Sequence, residues 1–200
     1  LFIFMGVILE KSKVAELLLN SMSKLFSKYK SGLGISILFV GTLLAASTGI
    51  VGATVIAMGL ISLPAMLQRG YSEKISTGLI AATGTLGQII PPSIALVILG
   101  DVLATAYQQS QLKIGNYVAK SLSVGDLFMA AIVPGFILVI IYGLYFIFTL
   151  RKENIISISD SKDESFVKLI STLVPPFFLI FSVLGSIIFG VASPTEAAGI

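Results

Sequence analysis

Long apolar runs fill this chain, and the polar breaks inside two of them carry most of its information. Gly32–Met66 holds no charged residue. As one helix its 35 residues would extend about 52 Å at 1.5 Å per residue, against a bilayer hydrocarbon core of about 30 Å. A polar, glycine-bearing break, Ser47-Thr48-Gly49-Ile50-Val51-Gly52, sits near its middle. Ile75–Ala106 is again too long for an upright crossing, and its centre reads Gly84-Thr85-Leu86-Gly87-Gln88-Ile89-Ile90-Pro91-Pro92-Ser93. Proline lacks an N–H and its ring clashes with the carbonyl four residues back, so Pro91 releases the Gly87 carbonyl and Pro92 that of Gln88. An unsatisfied backbone group in lipid costs several kcal/mol. Such breaks survive where the loose carbonyls and amides line a cavity and bind something, which is how discontinuous membrane helices build ion and solute sites.

Charge placement sets the path. A single span over 32–66 would put Lys24, Lys28 and Lys30 on one side and Arg69 and Lys74 on the other, against the positive-inside tendency. Two half-helices meeting at the Ser47–Gly52 break return both ends to the cytoplasmic face. The pattern therefore predicts a re-entrant hairpin over 32–66, with arms of about 20 Å. Residues 75–106 then form a broken crossing helix, 107–125 a polar outer loop, and 126–150 a return span ended by Arg151 and Lys152. Residues 151–166 read as a cytoplasmic linker, and 167–191 as a further span kinked at Pro175-Pro176.

Ahead of the hairpin, 1–9 reads as the end of a membrane helix and 10–31 as an interfacial arm. There Val14, Leu17, Leu18, Met22, Leu25 and Phe26 form an apolar stripe among Lys11, Lys13, Lys24, Lys28 and Lys30, the pattern of a helix lying in the membrane surface. A solvated cytoplasmic loop is the alternative. In 192–200, Ser193-Pro194-Thr195-Glu196 has the form of a capping box and opens another helix. This topology leaves eleven of the 13 basic residues inside and only Lys113 and Lys120 outside.

Composition agrees with the pattern. The chain is 56% apolar and 12% charged, where soluble domains carry about 25% charge, so an all-α integral membrane protein is expected. With no cysteine and no histidine, disulfides, Cys/His zinc sites and Ser-His-Asp catalysis are excluded within these residues. No GxxxxGK[ST] phosphate loop is present, and an enzyme is not expected. The basic residues are scattered along membrane flanks, which argues against nucleic-acid binding. The first residues are already apolar and the last ones open a helix, so an internal fragment of a longer protein is expected.

With both breaks in view, the chain resembles the large membrane subunit of tripartite ATP-independent periplasmic (TRAP) transporters, the DctM-like proteins. The resemblance is carried by Leu1–Glu10 (LFIFMGVILE), Ala46–Gly59 (ASTGIVGATVIAMG), Pro64–Tyr71 (PAMLQRGY), Gly84–Ile94 (GTLGQIIPPSI) and Ser193–Ala198 (SPTEAA). It implies an inverted-repeat fold of the ion-transporter type, each repeat holding a re-entrant hairpin and a broken helix on a scaffold of transmembrane helices. Residues 1–191 would be most of the first repeat. It also implies a sodium-coupled permease of the bacterial inner membrane, with sodium as coupling ion and no other cofactor. Its cargo would be a small organic anion (a C4-dicarboxylate, a 2-oxo acid or a similar carboxylate) delivered by a periplasmic binding protein. A small four-helix membrane subunit is the implied partner. A passive channel or structural membrane subunit is the alternative.

The resemblance implies a sodium site from Thr48 and Val51 at the hairpin tip with Gly87, Ile90 and Pro92 in the broken helix, mostly through backbone carbonyls. A hard cation needs several converging oxygens. Where many relatives have Ser-Gly-Ser-Ser, this chain has Thr48-Gly49-Ile50-Val51, which removes hydroxyls but not carbonyls. The competing reading makes Gly49-x-x-Gly52 a small-residue packing face. Ser47, Thr85, Gln88 and Ser93 are the candidates to face substrate, by hydroxyl and amide hydrogen bonds assisted by the helix N-terminus near Ser93. The alternative for each is a bond to its own helix backbone. Asp101 reads as interfacial and Asp126 as an interface or helix-start residue.

Overall fold

A computed structural model describes residues 14–26, 29–115, 122–150 and 155, together with 174, 175, 178, 181, 182, 185–187, 189–192 and 196. The expected segments 1–9, 151–166 apart from Ile155, and most of 167–200 lie outside the described residues. Within them secondary structure is helical, with no strand. The elements are α1 (Val14–Leu25), α2 (Gly32–Thr48), α3 (Val51–Gln68), α4 (Glu73–Thr85), a 3-10 turn (Leu86–Gln88), α5 (Ile94–Lys113) and α6 (Val124–Leu150).

The uncharged run is two helices, as the break predicts, but the break is narrower than the polar stretch. Ser47 and Thr48 belong to α2, Val51 and Gly52 to α3, and only Gly49 and Ile50 lie between. Gly49 adopts φ +61°, and its N–H closes the C-terminus of α2 on the Ala45 carbonyl. A left-handed residue is the usual helix stop, and glycine takes it without a Cβ penalty. Arms of 17 and 18 residues are about 25–27 Å long, longer than the sequence reading gave. The open ends of the hairpin are tied: Tyr71 Oη donates to the Lys30 carbonyl at 2.6 Å.

Close approaches give the register. A Cβ on Gly41 in α2 would lie 2.9 Å from Thr83 in α4, and one on Gly87 would lie 2.6 Å from the Ala45 carbonyl oxygen. Four residues along α2 match four along α4 and its 3-10 extension in the same direction, so these two elements run parallel. Met58 of α3 reaches the same Gly41, eight residues before the turn for one and eight after Ile50 for the other, as an antiparallel hairpin requires. Ile37, Val40, Met58, Met66 and Ile80 are buried in the core that these helices share.

Part of the apolar stripe on α1 is spent on the protein core. Leu18, Leu19 and Met22 are buried in that same core, while Leu17 and Leu25 stay exposed. Arg69 at the end of α3 donates to Ser23 at 3.1 Å. The arm is therefore clamped to the base of the hairpin.

α5 continues through Lys113, past the boundary at residue 106 predicted from polarity. Tyr107–Lys113 contains no proline or glycine, and Gln, Leu and Lys are good helix formers. Polarity alone does not stop a helix; the chain turns only after Ile114, at Gly115 with φ +81°. α6 is capped as expected of a helix start: Ser123 N–H and Oγ donate to Asp126 Oδ2, and Asp126 N–H donates back to Ser123 Oγ. It packs on α2, α4 and α5, with Phe146 seated on Gly34 and Ile90 against Gly135. Its outer face leaves Phe136, Ile137, Ile140, Ile141, Leu144 and Phe148 exposed. α3 and α6 are each long and apolar enough to cross a bilayer.

Candidate functional site

Four helix ends meet where the two breaks touch. α2 ends at Thr48 and the 3-10 turn that continues α4 ends at Gln88, while α3 begins at Val51 and α5 at Ile94. The parallel register brings the two C-terminal ends together at Ala45 and Gly87. The N-terminal end of α5 lies against the hairpin tip: a Cβ on Gly49 would sit 3.4 Å from Ile94 Cγ1 and 3.5 Å from the Pro92 carbonyl oxygen. C-terminal ends carry partial negative charge and unpaired carbonyls, N-terminal ends partial positive charge and unpaired N–H groups. The junction thus offers oxygens to a cation beside N–H groups suited to an anion.

The predicted ion-site residues line this junction. Gly87 is buried in the 3-10 turn. Pro91 offers its carbonyl no N–H, and the Ile90 N–H is spent on Leu86 O at 2.8 Å. Pro92 is buried, and Ile90 and Val51 are half-buried. Thr48 is the last residue of α2, next to Gly49. Gly87, Ile90 and Pro92 offer neutral oxygens on irregular backbone, whereas Thr48 closes α2 and Val51 opens α3, where its carbonyl faces the helical N–H four residues on. Among the described residues no group of three or more His, Cys, Asp or Glu could hold a metal. Carbonyl oxygens of this kind suit a hard cation and not a soft transition metal.

The predicted substrate-facing residues divide. Thr85 is exposed, and its hydroxyl donates to the Ala82 carbonyl of its own helix at 2.7 Å. Ser93 is buried as the N-cap of α5, accepting from Leu96 N–H at 3.4 Å and donating to the Gln88 carbonyl at 2.8 Å. Gln88 Nε2 donates to the Gly49 carbonyl at 2.9 Å, from the broken helix to the hairpin tip. Ser47 lies in the last turn of α2. Two of the four thus hold the junction together, a role that amide and hydroxyl chemistry permits but sequence cannot distinguish from ligand contact. The structure adds the Tyr71–Lys30 and Arg69–Ser23 ties, which no local pattern signalled.

A cavity of about 560 Å³ lies between α4 and α6, lined by Ile75, Leu79, Tyr142, Tyr145 and Phe146 with Lys74 and Ser72. None of the predicted site residues lines it, and its walls are mainly apolar side chains. The convergent backbone groups are at the junction, which is where binding chemistry is available.

Residues 1–200 match the family described as the tripartite ATP-independent periplasmic transporter, DctM component. The chain belongs to the DctM family. Its match to the C4-dicarboxylate TRAP transporter large permease protein DctM of Rhodobacter capsulatus is 32% identical over 197 residues, covering 98% of this chain and 44% of that protein. The ectoine TRAP transporter large permease protein TeaC of Halomonas elongata is 31% identical, covering 99% of this chain and 42% of its own length. The isethionate TRAP transporter permease protein DctMQ of Oleidesulfovibrio alaskensis is 28% identical over all of this chain and 29% of its own length. This DctM chain spans less than half the length of these relatives. Family membership and the two long apolar helices make it a membrane permease component, and its relatives are named as transporters of different solutes, not as enzymes.

Proposed function

We propose that this chain forms the first repeat of a sodium-coupled TRAP permease that imports a small organic anion: a C4-dicarboxylate, a 2-oxo acid or a similar carboxylate. The observation that carries the reading is the meeting of four helix ends at Gly49, Gly87 and Pro92. Thr48, Val51, Gly87, Ile90 and Pro92 hold one sodium ion, mostly through backbone carbonyls, and the bound cation with the α3 and α5 N-termini favours the carboxylate beside it. Ser47 and Thr85 remain the candidates to face substrate, while Gln88 and Ser93 hold the junction together.

On this reading α2 and α3 form a re-entrant hairpin opening to the cytoplasm, and hairpin and broken helix move together against the scaffold in an elevator-like step. The permease sits in the bacterial inner membrane. It works with a small four-helix membrane subunit and receives its substrate from a periplasmic binding protein. The solutes named for the relatives differ, which supports placing much of the selectivity outside this repeat.

The test is uptake by the complete complex in proteoliposomes. Transport requiring both an inward sodium gradient and the binding protein is expected. Solute flux without either would favour a passive channel.

A further inference from the structure

Gln88 is half-buried, and its side chain spans two elements that are far apart in sequence. Its amide holds the Gly49 carbonyl at 2.9 Å, while its own backbone carbonyl is held by the Ser93 hydroxyl at 2.8 Å. Ser93 in turn caps α5 through Leu96. One line of hydrogen bonds therefore joins the α5 N-terminus, the 3-10 turn and the hairpin tip. The residue it grips is the one with the greatest backbone freedom: Gly49 sits at φ +61° with no Cβ, so the Gly49–Ile50 peptide plane has little intrinsic preference. A donor arriving from the opposite element selects one orientation of that plane. The neighbouring peptide groups at Thr48 and Val51 are thereby fixed relative to Gly87, Ile90 and Pro92.

We propose that Gln88 is a positioning residue, a latch from the broken helix to the hairpin tip that sets cation affinity without touching substrate. The inference rests on the sodium-coupled reading above and assigns Gln88 a task different from substrate contact. Pre-organised carbonyls bind more tightly than carbonyls that must be ordered on binding. Loss of the latch therefore appears in sodium dependence before it appears in substrate recognition.

Gln88→Glu keeps the shape and replaces the donor with an acceptor facing the Gly49 carbonyl. Gln88→Met removes the donor at similar length and serves where the Glu variant does not assemble. In the complete complex, half-saturating sodium should rise about tenfold, the scale of one lost hydrogen bond, with substrate KM at saturating sodium unchanged. Hydrogen exchange at the Gly49 and Thr54 amides, which are bonded to the Ala45 and Ile50 carbonyls, measured without sodium or substrate, should accelerate about tenfold in both variants. A raised substrate KM with unchanged sodium dependence and unchanged tip exchange would overturn the proposal in favour of direct substrate contact. No change in any of the three would overturn it outright. If the unaltered complex shows no sodium dependence, the coupling reading fails; the latch then stands or falls on tip exchange alone, faster exchange supporting it and unchanged exchange refuting it.

Discussion

The Ala45 carbonyl and Gly87 approach so closely that a Cβ on Gly87 would lie 2.6 Å from the oxygen. The obstacle is backbone in a buried helix, not the end of a flexible side chain, so it cannot step aside. Gly87→Ala must part α2 from the 3-10 turn. A cost of about 1–3 kcal/mol is expected, as for other overpacked interiors. It should appear as a lower melting temperature of the purified complex and a higher half-saturating sodium concentration. Unaltered melting would mean that the two breaks do not touch in this way.

Gly49 and Gly52 separate the two readings of the hairpin tip. A Cβ at Gly49 is penalised by its left-handed φ of +61°, by about 1–2 kcal/mol, and Gly49→Asn should be milder than Gly49→Ala. A Cβ at Gly52 would meet nothing within 4 Å, so Gly52→Ala should leave thermal stability unchanged or slightly raised. Equal destabilisation by the two alanines would restore the small-residue packing face that the Gly49-x-x-Gly52 spacing suggests.

Tyr71 joins the two ends of the hairpin, with its hydroxyl on Lys30 O and its ring stacked on Phe146 at a centroid distance of 6.1 Å. Tyr71→Phe removes only the hydrogen bond and should cost about 1 kcal/mol. Tyr71→Ala also removes a buried ring and should cost about 3–5 kcal/mol. The comparison is made by thermal unfolding in detergent. Similar losses for the two variants would show that the ring contributes nothing to the fold.

The breaks were legible in sequence because Pro91, Pro92, Gly49 and Gly87 are residues whose backbone chemistry is local. Their width was not, because Ser47 and Thr48 tolerate helical dihedrals and only Gly49 takes the left-handed turn. The end of α5 was not legible for a related reason: Tyr107–Lys113 leaves apolar sequence without meeting a residue that stops a helix. Long-range ties were invisible. Tyr71–Lys30 and Gln88–Gly49 join side chain to backbone across 41 and 39 positions, and an amide bound to a neighbouring carbonyl has the same composition as one facing a ligand.

Membrane orientation is open to direct labelling, since these residues contain no cysteine. Lys24 and Lys113 are both exposed. Lys24→Cys should react with an impermeant maleimide only from the cytoplasmic side, and Lys113→Cys only from the periplasmic side. Reaction of both from one side would remove the crossing assigned to the broken helix.

The proposed cation site makes the sharpest demand on Pro92. Its nitrogen carries no hydrogen, so nothing on the backbone four residues on competes with the Ser93 hydroxyl for the Gln88 carbonyl. Pro92→Ala supplies that N–H, lets α5 extend backward toward the 3-10 turn, and draws the Gln88 carbonyl into a helical bond. The carbonyls of Ile90 and residue 92 then turn away from Gly87 and the hairpin tip. Loss of one good ligand costs about 1–3 kcal/mol, or roughly ten- to a hundredfold in sodium affinity. Thr48→Ala should have a smaller effect if Thr48 contributes only its carbonyl, and a comparable one if the hydroxyl also coordinates. Both are read as the sodium dependence of uptake by the complete complex, with expression and subunit assembly verified for each variant. Unchanged sodium dependence in both would remove the site from this junction, whatever the transporter's coupling ion.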